Sequence, residues 1–352
     1  MDSKQNHKPI SLADRLRERW FPPAAVAGAF GAFAAAVFKT RSAPRPAPPP
    51  AGSTGLTNIS FDNPPGAKPA FPIQYRQVAT LGGAAPFKTS LDGIALDNGG
   101  NAAVLGDGEI RIFQPGGNVL RRWKAQEKAT CVAVAPDGHI YIGAGGRVEI
   151  YDSAGTHAGG FVAGETNRPA SITAIRVLQN DILVADAAAL LIRRFNLQGR
   201  PIGMIGNKSK TGKFILPNKS LDLAVDADNR VYATDTGRHQ VTCWALDGSP
   251  QGSFGKFGMS RPEDFVGCCN PVNLAVTPEG KVVTAEKMIA RVKVYERDGR
   301  LLAAIGPENF DPACTHIFLA VDAQGRIFAA DPVRREVKVF AQTGKEQSGA
   351  EA

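Results

Sequence analysis

Between Gly93 and Phe340 the chain alternates apolar and polar positions in short runs, and the same order of runs recurs six times. Each unit opens on a short apolar stretch, passes an acidic or amide turn, continues through two alternating stretches and closes on a glycine. His139-Ile140-Tyr141-Ile142, Arg326-Ile327-Phe328-Ala329 and Val337-Lys338-Val339-Phe340 are typical. A period of two marks strands, and the near-continuous apolar runs mark strands covered on both faces. No comparable helical period occurs in this region. The turn after each first strand reads Asp97-Asn98-Gly99, Asp137-Gly138, Asn180-Asp181, Asp228-Asn229, Glu279-Gly280 or Gln324-Gly325. Such pairs suit tight hairpins, because Gly and Asn accept positive φ.

An aromatic residue ends each third strand and a glycine follows four residues later: Phe113/Gly117, Tyr151/Gly155, Phe195/Gly199, Trp244/Gly248, Tyr295/Gly299 and Phe340/Gly344. Successive aromatics are 38, 44, 49, 51 and 45 residues apart. Four strands in each such interval, six times over, predict an all-β, six-bladed β-propeller. The sixth unit stops after three strands. Its fourth is predicted from the front of the domain, where Ile73–Gly82 matches the outer strands Leu301–Gly306 and Pro201–Gly206. Pairing first and last segments in one blade closes the ring and removes exposed strand edges. The propeller is therefore expected over residues 73–345, with a disordered tail at 346–352.

The units from Asp228 to Val241 and from Asp322 to Phe340 carry a turn, a strand, an Ala-Asp or Thr-Asp pair, a basic residue and a further strand. In this they resemble NHL repeats, and the resemblance extends over most of residues 73–344. The stretch from Cys268 through Glu286-Lys287 to Tyr295 also resembles bacterial NHL-repeat proteins with a Cys-Cys-Asn-Pro run. The resemblance implies a six-bladed fold and no single activity, since such propellers include enzymes, ligand binders and protein-docking modules.

Charge and address change the picture next. The net charge is +8, but residues 1–50 carry eight Lys/Arg against three Asp/Glu, leaving 33 against 30 for the rest. So balanced a propeller lacks the basic footprint of a nucleic-acid binder. Trp20–Phe38 is a run of 19 residues without charge, preceded by the basic segment 1–19. Residues 20–39 are thus expected to form a transmembrane anchor or a cleaved signal peptide, with Ala34-Ala35-Ala36 offering a small-x-small site. Residues 40–72 form a Pro-rich linker, a semi-rigid spacer. Both readings put the propeller outside the cytoplasm, periplasmic or extracellular: membrane-anchored in one, secreted after cleavage in the other.

Candidate chemistry is sparse. Five cysteines occur, Cys131, Cys243, Cys268, Cys269 and Cys314. Cys131 and Cys243 read as small core residues within strands. Phe265–Pro271 is a loop entering the innermost strand of blade five. Aligning Leu274-Ala275-Val276 with Leu319-Ala320-Val321 sets Cys269 and Cys314 at equivalent places in adjacent blades. A disulfide between them requires both to lie near the axis, with Cα atoms within about 7 Å. A bridge within the adjacent pair is disfavoured, because trans neighbours stand only about 3.8 Å apart. Cys268, Cys269, Cys314 and His316 could alternatively supply sulfur and nitrogen ligands to copper or zinc. Cys268, Cys269, Asn270, Asn273, Cys314 and His316 are the candidate ligand-binding set. Carboxylates recur at the end of the second strands, Asp186, Asp235, Glu286 and Asp331, where they accept hydrogen bonds from their own turns or form an acid ring for a cation. Asp222 and Thr173 join Asn270 and Asn273 as polar groups near the innermost strands.

No complete catalytic set, phosphate loop or HExxH motif occurs, and no cofactor is identified. The expected function is that of a membrane-tethered extracytoplasmic propeller binding a partner protein or small ligand on its axial face. Two alternatives stand beside it. One is a cysteine-based redox or metal protein associated with a membrane electron-transfer system, the other a divalent-cation-dependent hydrolase or lyase.

Overall fold

The alternating runs form twenty-four strands in the computed structural model, which describes residues 71–83, 86–207 and 213–344. The expected anchor, most of the linker and the whole of the expected tail lie outside these residues. Among the described residues no helix is long and apolar enough to cross a membrane.

Blade one is β2–β5 (Gly93–Leu96, Ala102–Gly106, Glu109–Phe113, Val119–Lys124), and blade two is β6–β9 (Ala129–Val134, Ile140–Ala144, Arg147–Tyr151, His157–Val162). Blade three is β10–β13 (Ile172–Val177, Asp181–Asp186, Leu191–Asn196, Pro201–Ile205), and blade four is β14–β17 (Leu223–Val225, Val231–Asp235, Gln240–Trp244, Pro250–Phe254). Blade five is β18–β21 (Asn273–Val276, Val282–Glu286, Arg291–Tyr295, Leu301–Ile305). Blade six joins β22–β24 (Phe318–Val321, Ile327–Asp331, Glu336–Gln342) to β1 (Tyr75–Leu81) in the order β1-β24-β23-β22. Every sheet is an antiparallel meander of four strands. The innermost strands neighbour one another in sequence, and β22 returns to β2, so the ring of six is closed. The closing pairs run from Tyr75↔Gln342 to Leu81↔Val337, as the front-segment match predicts.

Burial follows strand rank. The second strands β3, β7, β11, β15, β19 and β23 are buried at every position, whereas the outer strands β5, β9, β13 and β17 are largely exposed. The aromatics ending the third strands are all buried and meet rings from neighbouring segments, as in Phe161–Phe195 at 4.9 Å and Phe310–Phe340 at 6.1 Å between centroids. Each wedge fills the space between twisted sheets, where an aromatic side chain buries the most area.

The turns differ from the tight pairs expected. Blade three has the shortest connection, three residues from Leu178 to Asn180, with Leu178 N–H donating to Asp181 O at 2.7 Å. The others span five residues, beginning at Asp97, Ala135, Asp226, Thr277 and Asp322, and all but the first begin ahead of the expected pair. The reason is visible at Asp226, whose Oδ1 accepts the backbone N–H of Asp228 at 3.0 Å and of Arg230 at 2.9 Å. The side chain thereby organises the turn itself. Positive φ falls one residue before the loop ends, at Asn229 (59°) and Gly280 (81°) among others.

Candidate functional site

Residues 255–272 connect the outer strand of blade four to the innermost strand of blade five, and they account for the widest interval between successive aromatics. The loop is tied to buried cations beneath it. Arg291 and Lys293 alternate with Val292 and Val294 on β20, and both are buried. Arg291 Nε and Lys293 Nζ approach Glu286 Oε1 at 2.9 and 2.8 Å. Lys293 Nζ also donates to the backbone carbonyls of Asp264 at 2.9 Å and Pro262 at 3.0 Å, and lies 4.6 Å from the centre of the Phe265 ring. Tyr295 Oη donates to Glu263 O at 2.9 Å. Burial pulls the Lys293 ammonium down to about 8, against the pull of Glu286. These interior donors hold the loop by its backbone, whatever side chains it displays.

Asn270 fixes the far end. It is fully buried, its Nδ2 donates to Val266 O (2.5 Å) and Lys287 O (3.0 Å), and its Oδ1 accepts Lys287 N–H at 2.9 Å. Glu286 Oε2 accepts Val266 N–H at 3.1 Å. Between these anchors Gly267 and Cys269 adopt left-handed backbone, with φ of 74° and 64°. A side chain at Gly267 would strain that backbone and displace the exposed Met288, whose Sδ would stand 2.6 Å from an added Cβ.

That geometry brings the Cys268 and Cys269 side chains together as free thiols. Their Sγ atoms are 2.7 Å apart, in hydrogen-bond contact, with Cys268 exposed and Cys269 only 3 % exposed. In extended backbone successive side chains point to opposite sides. A left-handed residue breaks that alternation. Burial, then the neighbouring Cys268, raise the Cys269 thiol, while Lys287 and the Asn218 backbone N–H pull it down.

Cys314 does not join them. It is buried among Phe310, Ile317 and Ala290 between blades five and six, with Sγ against His316 O at 2.8 Å. Burial, reinforced by Asp331, pushes its thiol up to about 12. All five cysteines are free, so the Cys269–Cys314 bridge is not formed. Among the described residues no group of three or more His, Cys, Asp or Glu side chains could hold a metal ion. Cys268, Cys269, Cys314 and His316 do not appear as such a group. His316 is half-buried, its ring 6.3 Å from Phe318, and burial followed by the charge of Lys287 holds its imidazole below the ordinary range.

The polar hub residues tie blades together. Asn273 Nδ2 donates to Asp222 Oδ2 at 3.2 Å, Leu274 N–H to the same oxygen at 2.9 Å, and Thr173 Oγ1 to Leu221 O at 2.6 Å. The second-strand carboxylates serve their own blades. Asp186 accepts the N–H groups of Ser171 (3.0 Å), Ala188 (3.1 Å) and Ala189 (3.2 Å) and pairs with Arg193 at 2.8 Å. Asp331 accepts from Asp311, Val333 and Arg334 in the same manner. Cys131 is buried as expected, but Cys243 is half-buried and faces Gln251 Oε1 at 3.7 Å.

The sequence reading missed the apolar surface beside the cysteine pair. Phe257 (56 % exposed), Met259 (53 %) and Met288 (59 %) are exposed, as is Ile215. The His239 ring lies 5.2 Å from that of Phe257, and His239 Nε2 is 2.9 Å from Gly267 O, which links the blade-four turn to the cysteine loop. A second opening lies on the axis. The later residues of the innermost strands line a cavity of about 240 Å³, whose side chains are aliphatic apart from Arg176 and whose exposed wall is more polar than apolar. Arg176 Nη1 donates to Ile175 O at 2.7 Å, and Nη2 is 3.7 Å from Asp222 Oδ1.

No family model and no curated protein matches the chain. Solved structures do resemble it. One is a gluconolactonase from Xanthomonas campestris, 17 % identical, TM-score 0.55, over 77 % of this chain and 95 % of that one. Another is a catalytically inactive virginiamycin B lyase from Staphylococcus aureus with quinupristin, 10 % identical, TM-score 0.50, over 76 % and 99 %. A chain of the mitotic checkpoint complex is 14 % identical, TM-score 0.51, over 80 % and 97 %. The likeness is one of fold. At these identities it carries no activity across, and the NHL resemblance rests on this chain's own residues.

Proposed function

We propose that the chain is an NHL-type propeller, tethered to a membrane through residues 20–39 and held outside the cytoplasm. On this reading it presents the cysteine-loop end of blades four and five to a partner protein. The observation that carries the docking face is that Phe257 and Met259 on the loop, and Met288 against its Gly267, are each more than half exposed while the loop backbone is fixed from beneath. Large apolar side chains on a rigid base are the material of protein interfaces, with Met and aromatic residues enriched there. A small ligand in the axial cavity is the weaker alternative. Its one charged side chain, Arg176, is already turned to Ile175 O and Asp222.

The test compares retention of a partner by the full chain, purified from gently solubilised membranes, with that of two double variants. Phe257→Ser/Met288→Ser should lose the partner, while Ile202→Ser/Met204→Ser, on the exposed outer strand β13, should keep it. Equal retention by both variants refutes the assignment of the face.

A further inference from the structure

The cysteine pair has a chemistry of its own, distinct from docking. We propose that Cys268 and Cys269 form a vicinal dithiol that reduces disulfides by closing a disulfide between themselves. Four observations support it. The sulfurs are in contact at 2.7 Å. One is exposed and the other buried, so an incoming disulfide meets Cys268 first. The left-handed backbone at Cys269, unfavourable for a residue with a Cβ, sets both side chains on one side of the chain. Asn270, fully buried with three hydrogen bonds to Val266 and Lys287, holds that conformation on the blade.

The reaction proceeds by two exchanges. The Cys268 thiolate attacks one sulfur of a disulfide R–S–S–R′, forming Cys268–S–S–R and releasing R′–S⁻, which takes up a proton. Cys269 then loses its proton and attacks Cys268 Sγ, displacing R–S⁻ and forming the Cys268–Cys269 bond. Two electrons and two protons leave the pair, and one disulfide becomes two thiols. The oxidant is the substrate disulfide, and no further cofactor is needed. A buried second thiol next to the attacked sulfur makes the mixed disulfide short-lived.

The experiment treats the reduced full chain with glutathione disulfide, alkylates the remaining thiols, and weighs the peptide carrying residues 268–269. The wild-type peptide should be lighter by two hydrogens and carry no glutathione, with two of the five thiols of the chain lost. Cys269→Ser should retain glutathione on Cys268, losing one thiol. Cys268→Ser should stay unreacted, its remaining loop sulfur being buried. A parallel arm with a disulfide-bonded polypeptide separates a small substrate from a protein one, and reaction in either arm sustains the proposal. Glutathione retained on the wild-type pair, a bridge from Cys269 to Cys314, or two surviving thiols in both arms overturns it. The wild-type mass decides the matter even if a variant misfolds. The outcome is independent of the Phe257/Met288 docking test, because glutathione needs no docking face.

Discussion

Replacing Asn270 by Ala tests whether the cysteine loop is held by one buried amide. The substitution removes the donors to Val266 O and Lys287 O and the acceptor of Lys287 N–H, all at a fully buried position. At about 1 kcal/mol net for each bond, the anchored state loses about 3 kcal/mol relative to an open loop that water can solvate. A shift of that size raises the open population roughly 150-fold. The reporter is Cys269, followed by its rate of alkylation in a Cys268→Ser background. Where opening and closing outpace labelling, the rate tracks the open population, so Asn270→Ala should accelerate labelling by about a hundredfold. Cys131 and Cys314, buried in other parts of the ring, should keep their slow rates. Acceleration of less than about threefold would refute the anchoring role on this arithmetic. Equal acceleration of all three thiols would mean that the variant unfolds globally and that the loop is not a separate unit.

Two further outcomes follow from the buried charges. Lys293 is held at about 8 against an ordinary value of 10.5, so between those values the unfolded chain binds more protons than the folded one and this residue makes stability rise with pH. Urea titrations at pH 7 and 9.5 should show wild type gaining about 2 kcal/mol relative to Lys293→Met across that interval, and no relative gain refutes the burial assignment. Asp186→Ala should cost about 3–5 kcal/mol, since it leaves Arg193 and three N–H groups without their partner. Unchanged urea stability would return this carboxylate to the candidates for catalysis.

The repeat was legible because its signals are local and forced. Six buried aromatics, glycines at positive φ and second strands buried on both faces each leave a mark at fixed spacing, and Ile73–Gly82 betrays the closing strand by its likeness to other outer strands. Turn lengths were less legible, because an Asp two residues ahead of the expected pair organises a wider loop through its own side chain, as Asp226 does. The loop site was legible in composition and less so in geometry. Repeat alignment set Cys269 and Cys314 at equivalent places, but it carries no backbone angles, and the left-handed residue at Cys269 turns its sulfur towards Cys268. Arg291 and Lys293 gave no warning either. On a strand alternating with valine they read as a solvated face, and only the loop folded over them makes that face interior.

That interior cluster is blade five's version of a device that recurs around the ring. In blades three and six a carboxylate at the end of the second strand accepts hydrogen bonds from the entering loop, and in blade six Lys338 and Arg334 also donate to the loop carbonyls of Asn309 and Phe310, as Arg111 does to Pro86 O in blade one. Blade five buries both of its cations completely beside the carboxylate, although burying a charged trio is often no better for stability than packing apolar groups of the same volume. What the trio supplies, and apolar groups cannot, is a set of donors aimed at the backbone carbonyls of Pro262 and Asp264. Carbonyls are common to every sequence the loop could have, so the loop is held without using its side chains. Phe257, Met259 and Cys268 therefore remain exposed on a backbone that is nonetheless fixed, the combination that both a docking face and a strained cysteine pair require.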